Sequence, residues 1–217
     1  MRELNIPVTA HGRLLIDDAE TASPLRILAG CHGYAQSADE MMEMLRGIPA
    51  DASWTRVSIQ ALHRFYRGRS QTTVASWMTR QDRDRQIGDN VAYVDEAVAV
   101  TAGARPIERL VFCGFSQGVA MAFRAGLLGA RKADAVLALG GDVPPELLAD
   151  RGIEFPRVLL ARGSRDEWYT AERMRSDESA LQARGVEVET VVFDGAHEWH
   201  ADFAARAAAM LSWQGRA

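Results

Sequence analysis

Two cysteines, a single lysine and no long apolar run set the first limits on this 217-residue sequence. Cys31 and Cys113 are too few and too far apart for a disulfide framework or a cysteine-based zinc site. Each closes an apolar segment, so both are expected as buried free thiols. Lys132 alone is available for a Schiff base or a phosphate-loop lysine, and it lies in a polar stretch with no glycine-rich phosphate loop before it. Nowhere do about 18 consecutive apolar residues suggest a membrane span, and "MRELNIPVTAHG" lacks a signal-peptide core. The net charge of −4, with both signs interspersed, leaves no basic footprint for nucleic acid. No Pro/Gly/Ser-rich linker divides the chain. One cytoplasmic domain over residues 1–217 is expected, without integral membrane association and with homodimerisation left open.

What the sequence does have is 47% hydrophobic residues, enough for a substantial core, laid out as strands alternating with helices. Residues 3–9 and 12–17 read as an antiparallel hairpin around His11-Gly12. "PLRILAG" (24–30) reads as a buried strand, followed by the loop "CHGYAQSA" and a helix over 38–47. In that helix Met41, Met44 and Leu45 share a face, which reads as core. "TRVSIQAL" (55–62) is a strand, and a long loop carrying Phe65, Tyr66 and Trp77 follows. The spacing of Ile87, Val91, Val94, Val98 and Thr101 predicts a helix over 84–102. Strands are expected at 108–113, 135–141, 157–163 and 186–193, and helices at 117–130, 170–184 and 200–213. This order predicts an α/β fold: a mostly parallel central sheet with helices on both faces and the N-terminal antiparallel hairpin at one edge.

"CGFSQG" (113–118) interrupts that alternation in a specific way. Gly114-x-Ser116-x-Gly118 follows a strand and opens an apolar helix, the context of a sharp turn that lifts a serine hydroxyl above the sheet. Glycine on either side lets strand and helix approach closely. A serine hydroxyl needs a base, and histidine is best suited at neutral pH. Of His11, His32, His63, His197 and His200, the last two follow a late strand. His197 sits in the loop after 186–193, whereas His200 lies nearly a helical turn further on and is expected to cap or face solvent. His32 is expected to shape its loop. A carboxylate must orient the imidazole, and Asp166 after strand 157–163 completes the order Ser, Asp, His. Asp142 in "GGDVPPE" is its rival. The backbone N–H of Gln117 and that of Tyr34 in "HGYAQ" are the expected donors to a developing oxyanion.

Together "CHGYAQSADEM", "GFSQG", "GSRDEW" and "GAHEW" resemble the phospholipase/carboxylesterase family of serine α/β-hydrolases over nearly the whole chain. The resemblance implies Ser116 as nucleophile, Asp166 as acid, His197 as base and the amides of Tyr34 and Gln117 as oxyanion hole, with no cofactor and no metal. It implies hydrolysis of small-molecule carboxylic esters through an acyl-enzyme. The alternative is acyl-protein thioesterase or lysophospholipase-type activity. The chain departs from better-studied members at "HGYAQ", where they carry "HGLGD" or similar, and in the loop "LHRFYRGRSQTTVASWMTRQDR". Trp77, Trp168 and Trp199 are candidates for the substrate pocket, and Arg67, Arg69, Arg80, Arg83 and Arg85 for attracting an anionic substrate. No extended lid insertion is evident, which favours short-chain or soluble esters.

Two other readings compete. "HEWH" (197–200) with Asp202 gathers metal-ligand types, but its histidines are three apart and the zincin signature needs four. A non-catalytic binding protein on the same fold is the second, since a fold alone does not guarantee chemistry.

Overall fold

Apolar residues on alternate sides of each strand supply two separate cores, one on each face of a seven-stranded sheet. The computed structural model describes residues 1–20 and 24–212. The strands are β1 (Arg13–Asp17), β2 (Leu25–Cys31), β3 (Trp54–Gln60), β6 (Ile107–Phe115), β7 (Ala135–Leu139), β8 (Arg157–Gly163) and β9 (Val188–Phe193), in the order β1-β3-β2-β6-β7-β8-β9. All neighbours pair in parallel except β1 with β3. The central strands are buried on both faces, which explains why they read as unbroken apolar runs.

The two faces divide the helices between them. Ile27, Phe112, Val136 and Leu160 point into the core that α2 (Arg83–Ala102), α3 (Gln117–Leu128) and α5 (Ala171–Gln182) cover. Leu28, Val111, Leu137 and Leu159 point into the other, closed by α1 (Ala38–Arg46) and α6 (Ala201–Leu211). Ser37 starts α1 with a capping box: its side chain accepts the Glu40 N–H while the Glu40 carboxylate accepts the Ser37 N–H. A one-turn helix, α4 (Pro145–Ala149), follows β7. The predicted last helix ran to 213, and that residue lies outside the described ones.

Two sequence expectations need correction. The antiparallel edge strand is present, but residues 3–9 form no strand and are exposed. β1 instead pairs with β3, from Arg13 opposite Gln60 to Asp17 opposite Arg56. Pro7 withholds a donor from any local hairpin, whereas the β3 edge offers five register pairs. The expected long loop after β3 contains a second, two-stranded sheet: β4 (His63–Tyr66) and β5 (Thr73–Ser76) pair antiparallel. Each strand has only four residues, too few for alternation to stand out. This hairpin also braces the loop after β2, because Ala35 N–H donates to Ala75 O and Ala75 N–H to Gln36 O.

Candidate active site

At the turn between β6 and α3, Ser116 adopts φ 53 and ψ −120, a backbone conformation that side-chain-bearing residues rarely accept. Both flanking glycines are required by contact. A Cβ on Gly118 would lie 2.0 Å from the Cys31 carbonyl oxygen, and one on Gly114 would lie 2.5 Å from the Val119 Cα. Helix and strand therefore meet backbone to backbone, and the strain falls on the serine between them. Its N–H is anchored to Leu139 O at 2.9 Å, on the neighbouring strand.

Three loops converge on that hydroxyl. His197 Nε2 lies 2.8 Å from Ser116 Oγ, and His197 Nδ1 lies 2.8 Å from Asp166 Oδ2. With the proton on Nδ1 donated to the carboxylate, Nε2 accepts the serine O–H. Asp166 is buried, and its Oδ1 accepts the N–H groups of Trp168 (2.8 Å) and Tyr169 (2.9 Å). The two loops are tied together: Ser164 N–H donates to Phe193 O and Arg165 N–H to Gly195 O. Asp142, the rival carboxylate, is held away by Arg173 Nη1 at 2.9 Å in a half-exposed ion pair. His200 turns elsewhere too. It accepts the Asp202 N–H as the cap of α6 and stacks on Phe193 at 4.4 Å, so the two histidines of "HEWH" do not converge.

Opposite the hydroxyl lies the loop after β2. His32 is fully buried; its Nδ1 lies 2.7 Å from Gly33 O and its Nε2 accepts the Ala61 N–H. That pattern puts the proton on Nδ1, and burial lowers the pKa of the ring, keeping it neutral. A neutral, doubly bonded imidazole shapes the loop. Gly33 N–H is held by Gln36 Oε1 at 2.7 Å, which sets the path into Tyr34. Gln117 opens α3, so its N–H has no helical carbonyl to bond and lies at the positive end of the helix.

The side chain of Gln117 was not singled out in the sequence. Its Oε1 accepts the Trp77 N–H (2.9 Å), and its Nε2 donates to Met78 O (3.0 Å). It thereby locks the segment after β5 against the turn. Trp77, expected at the pocket, is not there: it is fully buried and donates Nε1–H to His32 O at 2.8 Å. Trp199 is not there either, packing edge-on against Phe203 at 5.0 Å over the α6 core. Trp168 does border the cleft, three-quarters exposed. The cleft beside Ser116 has a volume of about 350 Å³ and is walled by Met78, Ala120, Val143, Pro144, Trp168 and Tyr169. Such dimensions suit a small ligand.

The phospholipase/carboxylesterase family model matches residues 21–212. The chain belongs to the phospholipase/carboxylesterase family. Its members are hydrolases, and this family member is therefore an enzyme of that broad kind. Similar solved structures include esterase PE8, at 21% identity and TM-score 0.73, over 92% of this chain and 96% of that one. The Bacillus cereus carboxylesterase is 13% identical with TM-score 0.70, over 92% and 93%. Zea mays acyl-protein thioesterase 2 is 16% identical with TM-score 0.69, over 93% and 98%. At such identities the likeness is one of fold, the α/β-hydrolase fold. No curated protein matches the sequence. No helix among the described residues is long and apolar enough to cross a membrane.

One buried acid of this family member shapes the cleft wall. Asp177 Oδ2 accepts the Val143 N–H and the Tyr169 O–H, each at 3.0 Å, and so carries the segment leading into Pro144. Burial pushes its carboxyl up to about 6, against those hydrogen bonds, and pushes the Tyr169 phenol up as well. A carboxyl whose folded pKa exceeds its unfolded one keeps a proton that the unfolded chain has already lost. Its stabilising contribution is thus full below about pH 4 and is lost as pH rises through 6. The stability of the wild type relative to Asp177→Asn is expected to fall by about 2 kcal/mol between about pH 4 and 7. Urea unfolding of both proteins across that range checks it, and a flat difference removes the argument.

Proposed function

We propose that the protein is a serine carboxylesterase that hydrolyses short-chain or small soluble carboxylic esters through an acyl-enzyme. The observation that carries this reading is the unbroken hydrogen-bonded line from Ser116 Oγ through His197 to Asp166, opening onto a small cleft. His197 Nε2 takes the serine proton as Oγ attacks the ester carbonyl, and the N–H groups of Tyr34 and Gln117 receive the oxyanion. The imidazolium, stabilised by Asp166, gives its proton to the departing alkoxide, leaving the acyl group on Ser116. Water then enters, loses a proton to Nε2, and releases the carboxylic acid with the serine restored. Ser116 and His197, and His197 and Asp166, already stand 2.8 Å apart, so the first proton transfer needs little reorganisation.

Mixing the enzyme with p-nitrophenyl butyrate is expected to give a burst of about one p-nitrophenol per site, with label from a fluorophosphonate found on Ser116. A folded protein that shows neither burst nor label at any acyl length is a binding protein on this fold. Matching butyrate oxygen and sulfur esters ranks the thioesterase alternative on the same enzyme. A higher kcat/KM for the sulfur ester moves the assignment there.

A further inference from the structure

Helix α3 is buried around most of its circumference, and one of its buried side chains is charged. Arg124 is 4% exposed and borders the same cleft as Ser116. Residues 116, 120 and 124 follow at four-residue spacing, so Ser116, Ala120 and Arg124 share one helix face. Their backbones span about 12 Å, and an arginine on a helix leans back toward the N-terminus, here toward the serine.

The guanidinium is only partly used. Nε and Nη2 both donate to a single oxygen, Glu146 Oε1, at 2.8 and 2.7 Å. Nη1 meets only the Met78 sulfur, a weak acceptor, at 3.5 Å. The other Glu146 oxygen takes Arg83 Nη2 at 3.0 Å, and Arg83 also meets Asp84 at 3.7 Å, so Arg124 shares its carboxylate with a second guanidinium and its Nη1 is left without a strong acceptor. Asp142, the acid on the cleft wall, is already balanced by Arg173. A buried cation with unspent N–H groups beside a cleft gains most from an anion delivered in the right place.

We propose that this cleft selects esters bearing a carboxylate, with Arg124 Nη1 holding that carboxylate in the cleft it shares with Ser116. The inference rests on the esterase reading and names its substrate class. The carboxylate arrives on either the acyl or the alcohol half, and both bring the same group to Arg124. Arg124 acts on specificity, away from the proton transfers.

Two matched pairs test it: p-nitrophenyl hydrogen glutarate against p-nitrophenyl valerate, and 4-carboxyphenyl butyrate against 4-carbamoylphenyl butyrate. The wild type is expected to favour the anion by about tenfold or more in kcat/KM in one pair, which also tells which half carries the charge. Arg124→Gln is expected to lower that ratio by about tenfold through KM, with Arg124→Lys recovering part of it. No preference in either pair, or a ratio unmoved by Arg124→Gln, overturns the proposal. Should Arg124→Gln fail to fold, competition in the wild type decides. Glutarate is expected to inhibit valerate ester hydrolysis competitively where glutaric diamide does not, and equal behaviour of the two overturns the proposal. Should no ester be cleaved at all, the esterase reading fails alone. Calorimetric titration with glutarate, expected to show binding that Arg124→Gln weakens about tenfold, then still decides the pocket, and its absence overturns the assignment.

Discussion

Replacing Ser116 with alanine is expected to lower kcat toward p-nitrophenyl butyrate by about 10⁴–10⁶, with the folded protein unchanged in its thermal unfolding. The loss is large because, among the described residues, the hydroxyl on His197 Nε2 is that of Ser116, 2.8 Å away. What survives is catalysis by the backbone donors and by binding. The folding half of the expectation follows from the backbone. Alanine at φ 53 and ψ −120 bears the same steric cost as serine, and the Ser116 N–H bond to Leu139 O is untouched. Activity that persists in the folded variant would sink the serine mechanism.

Ser116→Gly separates strain from chemistry. Glycine reaches that backbone region freely, so this variant is expected to be as inactive as the alanine variant yet more stable, by about 1 kcal/mol. A residue chosen for stability alone would not occupy such a position. The excess stability of glycine would measure how much the turn gives up to present an oxygen at the cleft.

The layered sheet was legible because parallel strands buried on both faces must be apolar throughout, as "LRILAGC" and "RVLLARG" are. Ser116, Asp166 and His197 were legible as residues just past strand ends, where an α/β sheet gathers its loops. The partner of β1 was not, because "NIPVT" resembles a strand locally and the stronger edge of β3 lies about forty residues away. Trp77 does lie in a loop, just past β5, but its burial was not legible. Its burial depends on His32 and Gln117, distant in sequence, which take its two N–H groups. Arg124 left a trace that went unread: one cation in "VAMAFRAGLL", eight residues after the serine. Only the packing of Glu146 and Met78 around it shows which N–H groups stay unspent.

Asp166→Asn is expected to reduce kcat by about 10⁴ while Asp142→Asn costs less than about tenfold on the same neutral ester. The two backbone N–H groups of Trp168 and Tyr169 decide how the asparagine sits. They require an acceptor where Oδ1 now is, so the amide oxygen must take that place and the NH₂ must face His197. An NH₂ there donates to Nδ1 and drives the imidazole proton to Nε2, where it faces the serine hydroxyl as a second donor. The base is then in the wrong tautomer although no atom has moved far. Asp142 has no such hold. It reaches only Arg173 across a half-exposed pair worth at most about 1 kcal/mol, and its carboxylate does not meet the imidazole. kcat measured for both variants with p-nitrophenyl butyrate separates them. The reverse ranking would put the orienting acid on the loop after β7, and the 2.8 Å contact between Asp166 and His197 would then have no part in the chemistry.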